Sequence, residues 1–120
     1  MGLELYMVGV IVEDMARAAE FYRRLGVDVP EAAESEGHVE IKMSGLTFFL
    51  STKAANARWD PNRSDASGGY RMILEFYLES PAALDAKYEE LTGYGYVGHC
   101  APYDVTPRTR FAMVDDPDGN

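Results

Sequence analysis

The sequence predicts an α+β protein made of two similar modules, each with a strand, a helix and a hairpin. Apolar residues alternate along residues 4–13 and again along 70–79, as they do in strands. Each segment is followed by a helix-capping residue and by apolar residues at helical spacing. The second segment matches the first at a shift of 66 residues (Val12 to Leu78), which predicts an internal repeat.

The first module opens with the segment ELYMVGVIVE. Both faces of this strand are apolar or small, so we expect both to be covered. Asp14 stands where an N-cap is needed, and MARAAEFYRRL then places its apolar residues on one helical face. Gly26 suits the position that ends this helix.

A hairpin completes the first module. HVEIKM, residues 38–43, alternates again, Ser44 and Gly45 suit a two-residue turn, and LTFFLS follows as the second strand. One further short strand is expected near residues 27–29. The first half therefore has the order β-α-β-β.

Residues 52–69 are polar and carry Gly, Pro, Asn and Ser, which predicts a linker or a functional loop. The modules would then cover about residues 1–52 and 70–120, with residues 53–69 between them. Trp59 lies inside this polar segment, where a core role is hard to supply. We expect it at the rim or lid of a pocket.

The second module begins with the strongest strand signal in the chain, YRMILEFYLE at residues 70–79. Ser80 and Pro81 predict the start of a helix that extends to residue 92. RTRFAMV, residues 108–114, predicts a later strand, and the sequence DPDG after it predicts a type I turn.

Two such modules would each leave one sheet face uncovered by their own helix. Pairing of these two faces would enclose a curved cavity between the modules, which is a setting for a small ligand. The alternative is that the two βα units resemble each other by chance.

Composition excludes several classes of partner. The net charge is −9, whereas nucleic acids and anionic membranes require clustered Lys and Arg. A cationic small ligand would be favoured by this charge. The single cysteine, Cys100, permits no internal disulfide and indicates a reducing compartment, so we expect a cytoplasmic protein. Neither a signal peptide nor a membrane span is expected.

The segment VGVIVEDMARAAEFYRRLGV resembles the first module of the glyoxalase / bleomycin resistance protein / extradiol dioxygenase superfamily, also called the vicinal oxygen chelate fold. LEFYLESPAALDAKYEELTGYGY resembles its second strand and helix, and RFAMVDDPDGN its second-module hairpin. The resemblance implies two βαβββ modules that form a curved mixed sheet around a cavity, and commonly a homodimer. On this pattern the last strand of module two is missing, since it would lie beyond Asn120.

The resemblance also implies where a metal would be bound. Metal-dependent members carry a histidine at the position of Met7, an equivalent near Ile73, and a glutamate three residues after the DPDGN turn. Met7 and Ile73 cannot bind a hard or borderline metal. His38 and His99 lack metal-ligand spacing, and we expect the first at the surface and the second in a loop. No metal and no cofactor are therefore expected.

Glu75 is the predicted polar group of the cavity, because alternation places it with Ile73 and Tyr77 on one strand face. It would bind a ligand amine or act as a general base; pairing with Arg71 or exposure to water is the alternative. The ligand-binding residues predicted from the sequence are Met7, Phe48, Trp59, Arg71, Ile73, Glu75, Tyr77, Tyr103 and Phe111.

These features favour a metal-independent protein that binds or sequesters an aromatic, often cationic, small molecule, as in the bleomycin-resistance branch of the superfamily. The alternative is a glyoxalase-like lyase, isomerase or dioxygenase, using metal or acid–base chemistry by Glu75 with Tyr77 or Tyr103. A third possibility is a regulatory or interaction domain with a vestigial cavity. Cys100 has no evident partner for nucleophilic catalysis.

Overall fold

The computed structural model describes residue 2, residues 4–68 and residues 72–120. Its contacts divide the chain into two compact units, Met1–Ser67 and Gly68–Asn120. The α+β class predicted from the sequence is confirmed, since both units combine helices with strands. The cavity expected between the modules stays a prediction.

The first unit contains a three-stranded sheet of β1 (Met7–Val12), β2 (His38–Met43) and β3 (Leu46–Thr52) in the order β1-β3-β2. β1 runs parallel to β3, and β2 runs antiparallel to it. The predicted turn between β2 and β3 is confirmed. Gly45 adopts a φ of 89°, which a glycine reaches without strain.

Helix α1 (Met15–Leu25) covers one face of this sheet. Its predicted caps are both present, because the Asp14 carboxylate accepts from the Arg17 N–H at 3.1 Å and Gly26 ends the helix with a φ of 124°. The Tyr22 ring meets the Phe48 ring at 5.3 Å. The sheet residues buried on this face are Val10, Val12, Val39, Ile41, Phe48 and Leu50. Each large apolar side chain buried here contributes roughly 1.5–3 kcal/mol.

Two connections differ from expectation. Residues 27–29 do not form the predicted short strand, because the Val29 N–H donates to the Val27 carbonyl at 2.9 Å and closes a tight turn. A short 3-10 helix, Glu31–Ser35, follows. The polar segment predicted as a linker begins with helix α2 (Lys53–Ala57), whose first turn is capped by the Thr52 hydroxyl.

The second unit contains helix α3 (Pro81–Gly93) and the antiparallel hairpin of β4 (Gly98–Thr106) and β5 (Thr109–Val114). Ser80 caps the helix as predicted and accepts from the Ala83 N–H at 3.0 Å. Arg110 on β5 donates to Asp85 of α3 at 2.8 Å and to Asp104 of β4 at 3.1 Å, which ties the hairpin to the helix.

Residues 72–78 are not assigned to a strand, although they carry most of the strongest strand signal. In the first unit, β1 is a strand because β3 lies beside it in register. In the described part of the second unit, β4 and β5 pair only with each other. High strand propensity without a hydrogen-bonding partner does not make a strand. Tyr70, from the same predicted segment, lies outside the described residues.

The DPDG turn is confirmed. The Gly119 N–H donates to the Asp116 carbonyl at 3.0 Å, and the Asp116 carboxylate accepts from the N–H groups of Asp118 and Asn120 at 2.8 and 2.9 Å. His99, which was expected in a loop, lies in β4 together with Cys100. Within the described ranges, the helices lack the combination of length and hydrophobicity that crossing a bilayer requires.

Candidate ligand-binding site

The first-unit sheet has a second face, turned away from α1, which we term the far face. Strand alternation and the observed register place nine residues there: Met7, Gly9 and Ile11 of β1, His38, Glu40 and Lys42 of β2, and Thr47, Phe49 and Ser51 of β3. Unlike the face covered by α1, it carries polar, charged and aromatic side chains together.

Three rings on this face form a continuous surface, here termed the aromatic row: Phe49, His38 and Trp59. The His38 imidazole lies 4.9 Å from the Phe49 ring with a tilt of 40°. The Trp59 indole meets the His38 ring edge to face at 5.3 Å and 89°. Trp59 is 53% exposed, so much of its ring is free for a flat ligand.

The absence of a side chain at Gly9 leaves the space that the Phe49 ring occupies. The two residues are opposite each other on β1 and β3. A Cβ atom at Gly9 would lie 2.0 Å from Cζ of Phe49, closer than any real carbon contact. The ring therefore extends over β1 and occupies the space that a side chain at residue 9 would fill.

His38 is held by two hydrogen bonds that define its protonation pattern. Its Nε2 lies 3.0 Å from Oε2 of Glu40, and its Nδ1 lies 3.3 Å from Oγ of Ser51. An ionised carboxylate only accepts, so Nε2 carries the proton in the neutral ring. Nδ1 then accepts from the Ser51 hydroxyl. The result is an imidazole of fixed orientation with the Glu40 carboxylate held beside it.

Serine, histidine and a carboxylate are also the groups of a hydrolase triad, but this arrangement does not fit that role. Ser51 is 0% exposed, so its Oγ cannot reach a substrate carbonyl. The hydroxyl instead orients the imidazole from beneath. The chemistry left to the group is hydrogen bonding, charge pairing and proton transfer by His38 and Glu40.

Charged contacts hold the segment that carries Trp59. Arg63 donates to the Asn56 side chain at 3.2 Å and to the Asp65 carboxylate at 2.9 Å. Lys53 forms ion pairs with Glu13 and with Asp65. The hydrogen bond that the Lys53 ammonium donates to Glu13 is the main cause of its raised pKa. The backbone N–H of Trp59 also donates to the Asn56 carbonyl at 3.2 Å, which ties the backbone of this residue to α2.

Two sequence-predicted ligand residues of the first unit lie on this site. Met7 is half-buried on the far face, two residues before Gly9, and Trp59 completes the aromatic row. Phe48 was also predicted to bind ligand, but it lies on the opposite face, 2% exposed and packed against α1. Its neighbour Phe49 takes the position on the far face.

The remaining predicted residues lie in the second unit. Tyr103 and Phe111 are direct cross-strand neighbours on the β4–β5 hairpin, and both are exposed. Ile73, Glu75 and Tyr77 are exposed along the segment 72–78, Tyr77 to 94%. Arg71 lies outside the described residues, so its predicted pairing with Glu75 stays a prediction.

Four residues of the aromatic row and its hydrogen bonds were not among the ligand-binding residues predicted from the sequence: His38, Glu40, Phe49 and Ser51. Alternation within HVEIKM already places His38 and Glu40 on one face, and the same alternation separates Phe49 and Ser51 from Phe48. Those signals were available. The cross-strand contact between His38 and Ser51 required the register, which only the folded sheet supplies.

The fold defines a two-unit α+β protein with an aromatic and charged surface on one sheet. The model of the Glyoxalase/Bleomycin resistance protein/Dioxygenase superfamily matches residues 5–120, so the chain belongs to this superfamily. The structural resemblance to its members is likewise found over nearly the whole chain. No curated protein matches the sequence.

Solved structures share the fold at low sequence identity. A glyoxalase/bleomycin resistance protein/dioxygenase family enzyme from Burkholderia phytofirmans PsJN aligns with a TM-score of 0.79 and 20% identity, over 98% of this chain and 94% of that one. A lactoylglutathione lyase from Agrobacterium tumefaciens aligns with a TM-score of 0.69 and 18% identity, over 100% and 90%. A glyoxalase/bleomycin resistance protein/dioxygenase from Nocardioides gives 0.73 and 20%, over 99% and 80%. At these identities the likeness concerns the fold alone.

The metal site that the superfamily implies does not fit the residues present. Met7 offers a thioether where a nitrogen or oxygen donor is required, and Ile73 offers none. Across residues 2, 4–68 and 72–120, His, Cys, Asp and Glu side chains do not gather in any group of three that could hold a metal ion. A catalytic divalent metal needs about three such ligands.

Proposed function

We propose that this chain is a metal-independent ligand-binding protein of the superfamily, of the bleomycin-resistance type, which holds a flat, cationic aromatic molecule on the far face. The aromatic row with Glu40 beside it is the observation that carries the proposal. The row offers ring surface, and the Glu40 carboxylate, with 41% of its side chain exposed, offers the opposite charge to a cation.

Three kinds of interaction would contribute to the free energy of ligand binding. Stacking of aromatic rings contributes about 0.5–1.5 kcal/mol per pair beyond the burial of apolar area. A cation over an aromatic face adds about 0.5–1 kcal/mol at an exposed site. The net charge of −9 raises the local concentration of cations before they bind. Met7 suits such a surface, because its flexible thioether adapts to irregular ligands.

The proposal is tested with proflavine, a planar aromatic cation. Trp59 is the only tryptophan, so intrinsic fluorescence reports directly on the aromatic row. We expect proflavine to quench Trp59 emission saturably, with the same affinity before and after treatment with a chelator. Elemental analysis of protein purified without chelator should show no stoichiometric metal.

The matched variants are Glu40→Gln and Glu89→Gln. Both remove one negative charge, but Glu89 lies exposed on α3 of the second unit. Glu40→Gln should weaken proflavine binding several-fold, because the partner of the cation is lost, and Glu89→Gln should change it little. Absence of saturable quenching, equal effects of the two variants, or binding that requires an added metal would each contradict the proposal.

A second candidate function is a metal-free enzyme of the lyase or oxidoreductase kind. The oriented His38–Glu40 pair favours it, because an imidazole hydrogen-bonded to a carboxylate is a common acid–base couple. One structural neighbour is named a lactoylglutathione lyase, so formation of lactoylglutathione is the reaction to assay. Turnover that survives chelator treatment and is lost in His38→Gln would favour the enzyme over the binding protein.

A further inference from the structure

We infer that Gly9 and Phe49 together determine the shape of ligand that the site accepts, and that the site selects planar ring systems over non-planar ones. Gly9 allows the Phe49 ring to extend across β1, where it lies beside the His38 imidazole. The inference rests on the proposed function and adds to it the residue pair that governs selectivity.

The contact is close enough to make the two positions interdependent. A Cβ atom on residue 9 would lie 2.0, 2.1 and 2.5 Å from Cζ, Cε1 and Cε2 of Phe49. All three are ring atoms at the distal end of the side chain. Any larger residue at position 9 therefore displaces the ring, because the neighbouring backbone of β1 and β3 is fixed by their parallel ladder.

Backbone conformation gives no other reason for a glycine at this position. Among the described residues, the glycines with positive φ are Gly26, Gly45, Gly68, Gly95 and Gly119, and Gly9 is not one of them. It lies inside β1, where glycine weakens a strand relative to other residues. The space taken by the Phe49 ring is what a glycine supplies here.

The displaced ring would have no free position within the row. Phe49 is bordered by Gly9 on one side and by the His38 imidazole, 4.9 Å away, on the other. A methyl group at residue 9 drives the ring toward His38 or upward from the sheet. Movement toward His38 displaces the imidazole, and movement away from the sheet projects the ring into the space of a flat ligand.

The test compares two cationic dyes, planar proflavine and propeller-shaped crystal violet, by isothermal titration calorimetry. We expect the wild-type chain to bind proflavine more tightly than crystal violet. Gly9→Ala should weaken proflavine binding by about tenfold or more, which corresponds to about 1.4 kcal/mol. Gly93→Ala is the matched control, because a methyl group there meets nothing within 4 Å and φ is not positive. It should leave both affinities unchanged.

A second pair of variants separates ring displacement from general damage to the strand. Phe49→Ala removes the ring and should reduce the preference for proflavine over crystal violet toward unity. In the double variant Gly9→Ala/Phe49→Ala the added methyl group has no ring to displace. We expect its affinities to equal those of Phe49→Ala alone, which is strong non-additivity.

The outcomes distinguish the inference from the proposed function. If the wild-type chain binds neither dye, the proposed function fails and the inference fails with it. If the wild-type chain binds proflavine but Gly9→Ala keeps the wild-type affinity and preference, only the inference is overturned. Weaker binding by the double variant than by Phe49→Ala alone also overturns it, and this comparison holds even if Gly9→Ala alone proves too unstable to study.

Discussion

Phe48 and Phe49 are neighbours in sequence, yet the sheet gives them opposite environments. Phe48 meets Tyr22 of α1 in the core, whereas Phe49 lies on the far face between Gly9 and His38. The difference follows from the period of two in a strand, in which successive side chains point to opposite faces. Of two successive residues in β3, one therefore stabilises the core and the other is a candidate ligand-binding residue.

This separation predicts a clear contrast between two variants. Phe48→Ala should lower the free energy of unfolding by about 3–5 kcal/mol, because it leaves a cavity in the buried core. Phe49→Ala should cost markedly less, since its ring is half-buried, but should impair proflavine binding. Urea denaturation measures the first effect and calorimetry the second. Equal stability losses with equal binding would contradict the assignment of faces.

At the scale of elements, one arginine links helix α1 to the connection that follows it. Arg23 Nε donates to the Val29 carbonyl at 3.3 Å, and the guanidinium also bonds the Pro30 carbonyl and the Glu34 carboxylate. The planar, five-donor guanidinium suits this multiple contact, which a lysine would not reproduce. The short 3-10 helix Glu31–Ser35 is thereby held against the end of α1.

The Arg23–Glu34 pair predicts a pH dependence of stability. The hydrogen bond from Arg23 lowers the pKa of the Glu34 carboxyl from its ordinary value of 4.5. A lowered folded-state pKa means that the contribution is complete above about pH 5 and is lost as the pH falls through the lowered pKa. Glu34→Gln should therefore be less stable than wild type at pH 7, and the difference should shrink toward pH 3.

Thermal unfolding of the two proteins from pH 7 to pH 3 measures this difference. Glu36→Gln, which changes a nearby exposed carboxylate, is the control and should show a smaller pH-dependent difference. The same difference at every pH for Glu34→Gln would show that the ion pair does not contribute to folding.

At the scale of the whole molecule, the excess of 20 acidic over 11 basic residues is the dominant electrostatic feature. It produces a negative potential that extends about a Debye length, roughly 8 Å at physiological ionic strength. A cation approaching either unit is therefore attracted before it meets a binding site. The homodimer implied by the family resemblance stays a prediction, which light scattering of the purified chain would check.

The overall charge predicts a salt dependence of ligand binding. The affinity for cationic proflavine should fall several-fold between 0.05 and 0.5 M NaCl, that is over about one decade of ionic strength, because salt screens both Glu40 and the net charge. Acridone, a flat but neutral analogue, should keep its affinity over the same range. Calorimetric titrations at both salt concentrations test this, and a parallel loss for both ligands would contradict an electrostatic contribution.

Local signals were sufficient for much of the architecture. The caps Asp14 and Ser80, the glycine turn at residue 45 and the DPDG turn all act through neighbours within four residues, so the sequence contains their partners directly. The helices α1 and α3 begin where these caps predicted. The structure of the polar segment 52–69 was harder to predict from the sequence, because the short helix α2 depends on a single capping threonine.

Only the tertiary structure decided the features that depend on partners distant in sequence. Residues 72–78 have the propensity of a strand but are not one in the described chain, because a strand also requires a neighbour. Alternation separates Phe49 from Phe48, but which of the two faces α1, and the contact of His38 with Ser51, depend on how the strands pair. The position of Trp59 over His38 depends on how α2 and the ion pairs of Lys53 and Arg63 turn the chain back onto the sheet. The spacing of residues along the sequence does not predict these contacts, since they form only after the strands have paired.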